Sequence, residues 1–599
     1  MRTFSLRSGL LPYRRILGLS LITRFRPSPA SEPVTATGDP KDGAAQRSGP
    51  EPRSPKRRGP VRRVAARVTT ALAALLVFAA LVAPDQHTPL TPGVFARIPL
   101  EGVIGAAVLL VLPGRARKIV AALAGAALGL LILVQALDFG FWTFLNRQFD
   151  LIADWGLLDD GVNFLRDAVG RAGSVAAIVL AVVFAVGIVV LMPFSVLRLS
   201  GVAARHQAGT ARGVGVAAVA WLACSLAGLQ FVPGMPVAAH SEADLVHNRA
   251  LMIQASLRDR EAFAQAIKVD RFGNTPGDQL LTGLRGKDVV FAFVESYGRS
   301  ALEDPRQAAL VDPVLTAGAS RLTAAGFSAR SGFLRSSTFG GYSWLAHSTF
   351  QSGLLIDGQQ RYRGLVGTDR LTLTGSFRRA GWQTVAVEPN NTYAWPEGNF
   401  YGYDRVWDSR TLGYAGPPFG WSRMPDQYTL SALQRLEYAK PHAPIMAEVT
   451  LTSSHTPWAP LPQLVDWDAI GDGTIYRPQA KSGKSPEEVW KDAGRVRTEF
   501  ATSIAYSIGS LTSWVQQYGN DDLVLVFLGD HQAASIVSGS NASYDVPITI
   551  VAKDPAVPAR MTSWGWQEGM KPGPQAPVLP MESFRDRFLD TFGPNGGAG

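Results

Sequence analysis

Cysteine is all but absent from the sequence: the 599 residues contain one, Cys224. No intrachain disulfide can form, which excludes a disulfide-stapled secreted scaffold and a cysteine-ligated structural zinc site. Charge is also scarce, 18% of residues against 46% apolar. That balance is too apolar for an ordinary soluble enzyme and too polar for a pure membrane bundle, so a mixture of the two is expected. A basic body is missing as well. Residues 1–64 hold 14 Lys/Arg and 4 Asp/Glu, which accounts for the whole net charge of +10 and leaves the rest of the chain balanced. A nucleic-acid-binding body is therefore unsupported. Ile16–Ile22 is too short an apolar core for a signal peptide and has no small-x-small site soon after it. From Arg26 to Gly59 the chain is rich in Pro, Ser, Gly and charge, and residues 1–64 read as a disordered basic tail.

What is present begins with apolar stretches. Five have about the length a bilayer core requires: Val68–Pro84, Val94–Leu112, Ile119–Phe141, Ser174–Leu197 and Val214–Phe231. The second is the weakest, because Arg97 and Glu101 interrupt its start. None has an ionisable residue near its middle, so the region (65–232) reads as an anchor rather than a transport path. Loop charges set the orientation. The tail, the loop with Arg115, Arg117 and Lys118, and the loop with Arg198, Arg205 and Arg212 are expected to be cytoplasmic. The loop with Asp150, Asp154, Asp159, Asp160 and Asp167 is expected outside. Within it, Gln148–Val169 has helical apolar spacing and predicts an interfacial helix, beside an aromatic belt of Phe139, Phe141, Trp142 and Phe144. Five spans would place everything after Phe231 outside the cell membrane.

Residues 233–285 read as a linker with a helix over Ser241–Ile267, and 286–599 as an extracytoplasmic domain. Short apolar runs at Asp288–Val294, Thr384–Val387, Ile445–Leu451, Leu523–Leu528 and Ile548–Val551 read as buried strands, with helical patterns such as Arg495–Gln517 between them. The expected fold is α/β around a mostly parallel sheet, in which ligands gather beyond the carboxyl ends of the strands.

Three of those ends carry chemistry: Glu295 after the first run, Ser453-Ser454-His455 after the third, and Asp530-His531 after the fourth. Carboxylate oxygens with an imidazole suit Mn²⁺, Zn²⁺ or Mg²⁺. A fourth element, Phe339-Gly340-Gly341-Tyr342-Ser343-Trp344, reads as a tight turn opening a helix, with Ser343 at or near the N-terminus. Backbone N–H groups and the helix dipole stabilise an anion there, and a metal-bound hydroxyl so placed can attack phosphorus.

In order, Phe293-Val294-Glu295-Ser296, Gly341-Tyr342-Ser343, Ser453-Ser454-His455-Thr456-Pro457 and Gly529-Asp530-His531 resemble the alkaline phosphatase/sulfatase superfamily. The likeness is greatest to its membrane-anchored lipoteichoic-acid-synthase-like branch of phosphoglycerol and phosphoethanolamine transferases. Tyr544-Asp545-Val546-Pro547 and the apolar run after it resemble the family's closing strand, and the resemblance spans about residues 65–585. It implies an N-terminal five-helix anchor and a C-terminal sulfatase-like domain. One divalent ion, Mn or Zn with Mg as an option, would be held by Glu295, Asp530, His531 and Ser343. Ser343 would be the nucleophile, and His455 would contact the phosphate or protonate the leaving oxygen. It further implies ping-pong transfer of a phosphoryl-linked head group from a membrane phospholipid to an envelope glycan or lipid. Hydrolysis of envelope esters and an inactive envelope scaffold are the alternatives. Two departures bear on this. Leu345 and His347 stand where a sulfatase needs Pro and Arg, which disfavours sulfate-ester chemistry. Tyr342-Ser343-Trp344 replaces the Lys-Thr-Ser of lipoteichoic acid synthases, which puts glycerol phosphate as the transferred group in doubt. Trp344, His347 and Trp458 are candidates for the substrate surface, with Trp395 and Trp421 in similar loop contexts.

Overall fold

The structure, a computed structural model, describes residues 60–83, 96–145, 147–152, 154–232, 235–239 and 241–594. Contacts divide the chain into 1–63 and 64–599; residues 1–59 of the expected disordered tail, with the Ile16–Ile22 stretch, lie outside the described residues, and its last five, 60–64, are helical instead. The Phe144 ring and the side chains of Asp159, Asp160, Asp167 and Val169 also lie outside them.

The N-terminal region is helical: α1 (Pro60–Leu81), α2 (Leu100–Val111), α3 (Gly114–Leu145), α4 (Leu157–Arg205) and α5 (Gln207–Leu226). Among the described residues four helices are long and apolar enough to cross a membrane, Val61–Leu81, Gly114–Trp142, Gly170–Arg205 and Gln207–Leu226. The expected count of five is corrected to four. The segment expected as Val94–Leu112 folds as α2, whose 12 residues extend only about 18 Å against a hydrocarbon core of roughly 30 Å. Prolines confine it. Pro99 stands at its N-cap, and Leu112, ahead of Pro113, is extended at φ −70°, ψ 140°. Leu123, Leu130, Val179, Leu180, Val183, Phe184, Val216 and Val219 stay exposed on the long helices, an outward apolar surface that suits lipid. Gly125 lets α3 approach α4, because a Cβ there would stand 2.5 Å from the Pro193 Cα.

The expected interfacial helix starts later than Gln148. Arg147 pairs with Asp154, which also accepts the Asp150 N–H, and this folds the stretch before α4 into turns. The helix then begins at Leu157, and Gly170 (φ 72°) kinks it away from the long apolar part of α4. Ile152, Trp155 and Leu158 are exposed apolar groups on this segment. A further helix, α6 (Ser241–Lys268), leads to the C-terminal region. Its buried Arg249 pairs with Asp138 of α3 and donates to the Phe149 carbonyl, and Asp138 accepts the Phe149 N–H.

The C-terminal region holds a nine-stranded sheet: β1 (Asp288–Val294), β2 (Ser328–Arg335), β3 (Gln383–Glu388), β4 (Arg405–Asp408), β5 (Ile445–Leu451), β6 (Leu523–Gly529), β7 (Asp545–Ala552), β8 (Gln567–Glu568) and β9 (Val578–Pro580). The spatial order is β8-β2-β7-β6-β1-β5-β3-β4, with β9 on β2. From β6 to β4 the neighbours are all parallel, whereas β7 is antiparallel to both β6 and β2. All five expected strands lie in this sheet. The partly polar Ser-Ala-Arg-Ser-Gly-Phe-Leu-Arg run of β2 has no apolar continuity and gave no strand signal.

Helices α7 (Pro305–Ala324), α8 (Ser343–Ser352), α9 (Leu373–Arg379), α10 (Ala493–Tyr518) and α11 (Phe584–Thr591) cover the two faces. Val290, Ala292, Val294, Ala447 and Val449 pack with α7 and α10. Val289, Phe291, Phe293 and Met446 face the other way, into α8, α9 and α11. Strand alternation makes this division, since successive residues point to opposite faces. It places α8 over the carboxyl ends of β1 and β6.

Candidate active site

Glu295 follows the last residue of β1, and Asp530-His531 follow the last of β6. Because β1 and β6 are parallel neighbours in register, Gly529 opposite Val294, the two ends deliver their acids side by side. Gly529 is needed for this approach, since a Cβ there would stand 1.9 Å from the Tyr297 carbonyl oxygen. Glu295 turns into the site through Ser296, which holds a left-handed φ of 59°. The Ser296 hydroxyl and backbone N–H then grip Glu295 Oε1 at 2.8 Å and Asp530 Oδ1 at 2.8 Å. The His531 N–H also donates to Asp530 Oδ1, at 2.8 Å. Asp530 Oδ2 is left buried and without a hydrogen-bond partner.

Ser343 arrives by another route. After β2, the Ser336 hydroxyl donates to the Asp530 carbonyl at 2.6 Å, and the Gly340 N–H donates to the Gln532 carbonyl at 2.8 Å. The 336–342 loop is thereby laid along the end of β6. Gly340 (φ 73°) and Tyr342 (φ 62°) are left-handed, and α8 opens with Ser343 as its first residue. Non-glycine residues in the left-handed region cost free energy, and Ser296 and Tyr342, two of them flanking one site, mark a backbone shaped for function.

Ser343 Oγ lies 3.0 Å from Glu295 Oε2, to which it donates, and 3.3 Å from His531 Nε2. His531 Nε2 is 3.2 Å from Glu295 Oε1 and 3.6 Å from Asp530 Oδ2. Its Nδ1–H donates to the Gln532 carbonyl at 3.0 Å, which turns Nε2 toward the carboxylates. Burial pushes the Glu295 carboxyl up, but the His531 charge and hydrogen bond, with help from His455 and Ser296, outweigh it and hold the group well below the usual range. Burial and the Glu295 charge push Asp530 up to about 6. Burial lowers His531, yet Asp530 and Glu295 raise it to about 9.

One ligand atom each from Glu295, Asp530 and His531 falls within 4.8 Å of the others. Two buried carboxylates against one imidazole leave excess negative charge in a low-dielectric pocket, and a divalent ion is the natural compensation. The orphaned Asp530 Oδ2 fits that role, as does the mixed oxygen and nitrogen donor set with Ser343 Oγ beside it.

His455 lies just outside this cluster and acts on it electrostatically. Its ring stacks on Trp421 at 3.8 Å, and its Nδ1–H donates to the Thr456 carbonyl at 2.7 Å, leaving Nε2 free. Burial holds its pKa below the usual value, against the Glu295 charge. Trp344 donates from Nε1 to Gln359 and packs edge-on against Tyr342 beside the site. The expectation for Trp458 is corrected. It is buried among apolar groups, stacked on Trp490, with Nε1 donating to the Ser454 carbonyl, so it offers no face to a substrate.

Behind the cluster stands a second group, His347 of α8 with Glu388 at the end of β3 and Glu448 in the middle of β5, with ligand atoms again within 4.8 Å; the sequence singles out His347 but not the two acids. A signal existed. Glu388 ends an apolar strand as Glu295 does, and Glu448 is the one ionisable residue inside a run that is otherwise buried and uncharged.

No protein-family model matches the sequence, and no curated protein matches it. Several solved structures are similar. The lipoteichoic acid synthase LtaP of Listeria monocytogenes is 14% identical over 51% of this chain and 71% of that one, with TM-score 0.34. A protein in the alkaline phosphatase superfamily from Vibrio parahaemolyticus is 14% identical over 50% and 69%, with TM-score 0.32. The phosphoglycerol transferase GacH of Streptococcus pyogenes, solved with sn-glycerol-1-phosphate, is 12% identical over 55% and 80%, with TM-score 0.33. Similarity at this level carries no argument about this chain's chemistry, which is read from its own residues.

Proposed function

We propose that this protein is a membrane-bound, metal-dependent phosphotransferase. It moves a phosphoryl-linked head group, of phosphoglycerol or phosphoethanolamine type, from a phospholipid to a cell-envelope glycan or lipid by way of Ser343. The observation that carries the reading is the position of Ser343 Oγ, on the first residue of α8 and in contact with both Glu295 and His531, next to the unpartnered Asp530 Oδ2. Glu295, Asp530, His531 and Ser343 Oγ would hold the ion. When bound, a divalent cation there supplies a Lewis acid that lowers the pKa of the Ser343 hydroxyl and offsets charge on the phosphoryl oxygens.

The chain's own groups do the rest. Ser343 Oγ forms the bond to phosphorus as the bond to the lipid oxygen breaks, and the free backbone N–H groups opening α8 favour the oxyanion. The Nδ1–H of His455 is taken by Thr456, so its Nε2 can pass the proton given up by Ser343 to the leaving lipid oxygen. In the second half-reaction an acceptor hydroxyl gives its proton to Nε2 and bonds to phosphorus, and Ser343 regains a proton as its own bond breaks. Water as acceptor would make the same site a hydrolase.

The proposed organisation is a membrane region to about residue 232, a linker over 233–285 and a catalytic region over 286–599, with the N-terminus cytoplasmic and the catalytic region outside. Helix ends support it. Arg198, late in α4, donates to Ala66, early in α1, and Gln207, opening α5, donates to Leu110, closing α2. At the opposite ends, Leu81 approaches Gly102, Glu101 accepts the Ala243 N–H, and Asp138 holds Arg249. Helices α1 to α5 therefore alternate in direction, so the short α2 returns the chain from the outer end of α1 to the start of α3, and the four long helices together with α2 leave the N-terminus and the catalytic region on opposite sides; the level carrying Arg198 and Arg205 is the basic one.

Mass spectrometry of the purified full chain after exposure to phosphatidylglycerol or phosphatidylethanolamine vesicles tests the proposal. A head-group phosphate adduct on Ser343 is expected. An adduct on another residue, or release of head group with Ser343 never modified and not required, would overturn it.

A further inference from the structure

His347 lies one helical turn after Ser343 on α8, so the two share a face of the helix. Its ring lies flat on Phe293 of β1, centroids 3.8 Å apart and planes 19° from parallel. Toward β5, its Nδ1 meets Glu448 Oε1 at 3.2 Å. Register explains how an acid from mid-strand reaches it. Glu448 pairs with Phe291 on one side and Ala386 on the other, and so projects from the sheet face that α8 covers. Thr450 and Glu388 share that face, and the Thr450 hydroxyl donates to Glu388 at 3.0 Å. Gln351, a turn further along α8, donates to the other oxygen of Glu448.

The sheet order fixes where the rest of the imidazole goes. β1 stands between β5 and β6. A ring lying over β1 with Nδ1 turned to β5 presents Nε2 toward β6, the strand that ends at Asp530. His347 Nε2 is buried without a hydrogen-bond partner, and so is Asp530 Oδ2, which has only the His531 ring at 3.6 Å. Each group feels the other's charge. With Asp530 Oδ2 turned to the ion, an orphaned N–H on His347 in the neighbouring wall calls for an acceptor oxygen of a bound ligand. Burial lowers the His347 pKa, but the Glu448 hydrogen bond and charge, with Glu388 and Asp530, raise it above the usual value, which favours the doubly protonated ring.

We infer that His347 is a further substrate-contacting residue: Glu448 takes its Nδ1–H and turns its Nε2–H into the catalytic centre, where it donates to a non-bridging oxygen of the phosphoryl group. Glu448 is then a positioning residue, acting through His347. The inference rests on the proposed role of Ser343 only in that Ser343 marks where the phosphoryl group sits.

The test uses the Mn²⁺-loaded full chain and inorganic phosphate as the probe, measuring phosphate affinity by calorimetry and metal content by mass spectrometry. Loss of one charge-assisted hydrogen bond in His347→Ala should weaken phosphate binding by about 10–100-fold, with the metal retained. Glu448→Gln keeps an acceptor for Nδ1–H but removes the charge, and should fall between wild type and His347→Ala. His347→Gln retains a donor and should recover part of the affinity; it also decides the matter if the alanine variant does not fold. Unchanged phosphate affinity in the folded, metal-loaded His347 variants overturns the inference. So does a parallel loss of metal in both, which would make His347 a support for Asp530 alone. Full turnover by Ser343→Ala would instead overturn the proposed function, and the phosphate measurement would still stand or fall separately.

Discussion

Asp270→Asn should destabilise the catalytic region far more than its place just after the linker helix suggests. Arg585 of α11 is the largest fully buried side chain among the described residues, and its guanidinium reaches both oxygens of Asp270, at 3.0 and 3.2 Å, as well as Asp586 and the Leu371 carbonyl. Asp270 is itself only 10% exposed. Arg585 also underlies the C-terminus of α8, where a Cβ at Gly353 would stand 2.8 Å from its Nε. Removing one partner of a buried ion pair costs about 3–5 kcal/mol, chiefly because the other charge is left uncompensated. Asp586 remains, but it is 37% exposed, so the lower end, about 3 kcal/mol, applies. With an unfolding entropy near 2.1 cal/mol/K per residue over roughly 325 residues, that is a fall of about 4 °C in Tm. Intrinsic tryptophan fluorescence on heating, in nanodiscs, would read it.

The pH dependence adds a second readout. Burial pushes Asp270 up, but the Arg585 charge and hydrogen bond, together with the Arg370 charge and the Phe272 N–H, hold its carboxyl below the usual value. A depressed carboxylate pKa gives stability that is full above the unfolded value, near 4, and is lost as pH falls through the folded one. The wild-type advantage over Asp270→Asn should therefore shrink below about pH 4. A fall in Tm of under about 1 °C at neutral pH would refute the reasoning. So would a double variant, Asp270→Leu with Arg585→Met, that is no better than Asp270→Leu alone, since replacing both charges removes the uncompensated one.

Ser343→Ala should lower turnover by about 10³-fold or more while keeping metal and fold, and Ser343→Thr should retain part of the activity; normal turnover in the alanine variant would move the nucleophile elsewhere. Asp530→Asn should keep its amide oxygen under the Ser296 and His531 N–H groups and so keep the fold, yet lose the ion and the activity; retained metal by elemental analysis would displace Asp530 from the site. Gly529→Ala should reduce metal content as well, because the added methyl drives Tyr297 and Asp530 apart; unchanged stoichiometry would contradict that close packing. Reporter fusions after residue 240 should be active outside the cell membrane, and activity confined to the cytoplasm would remove access to an outer-leaflet lipid donor.

Much of the site was legible because its residues stand where local pattern changes abruptly. Glu295 and Asp530-His531 each interrupt an apolar run, and Gly340-Gly341 announces a turn before Ser343, so position along the chain alone singles them out. The strand content was legible for the same reason, except in β2, whose pairing with β7 is supplied by its neighbour rather than by its own composition. What sequence could not determine was distance. That Ser343, 48 residues from Glu295 and 188 from His531, has its hydroxyl between them depends on the 336–342 loop being tied to the end of β6. Trp458 looked like a loop aromatic and is a core one, because solvent exposure is set by what folds over a residue. Hydropathy suggested five spans, but prolines at 99 and 113 stop α2 at 12 residues, and a helix boundary outranks average apolarity. Glu388 and Glu448 lie 60 residues apart and meet His347 only because β3 and β5 are neighbours in register beneath α8. Pairing of distant strands is a property of the whole sheet, so that second constellation exists in the tertiary structure alone.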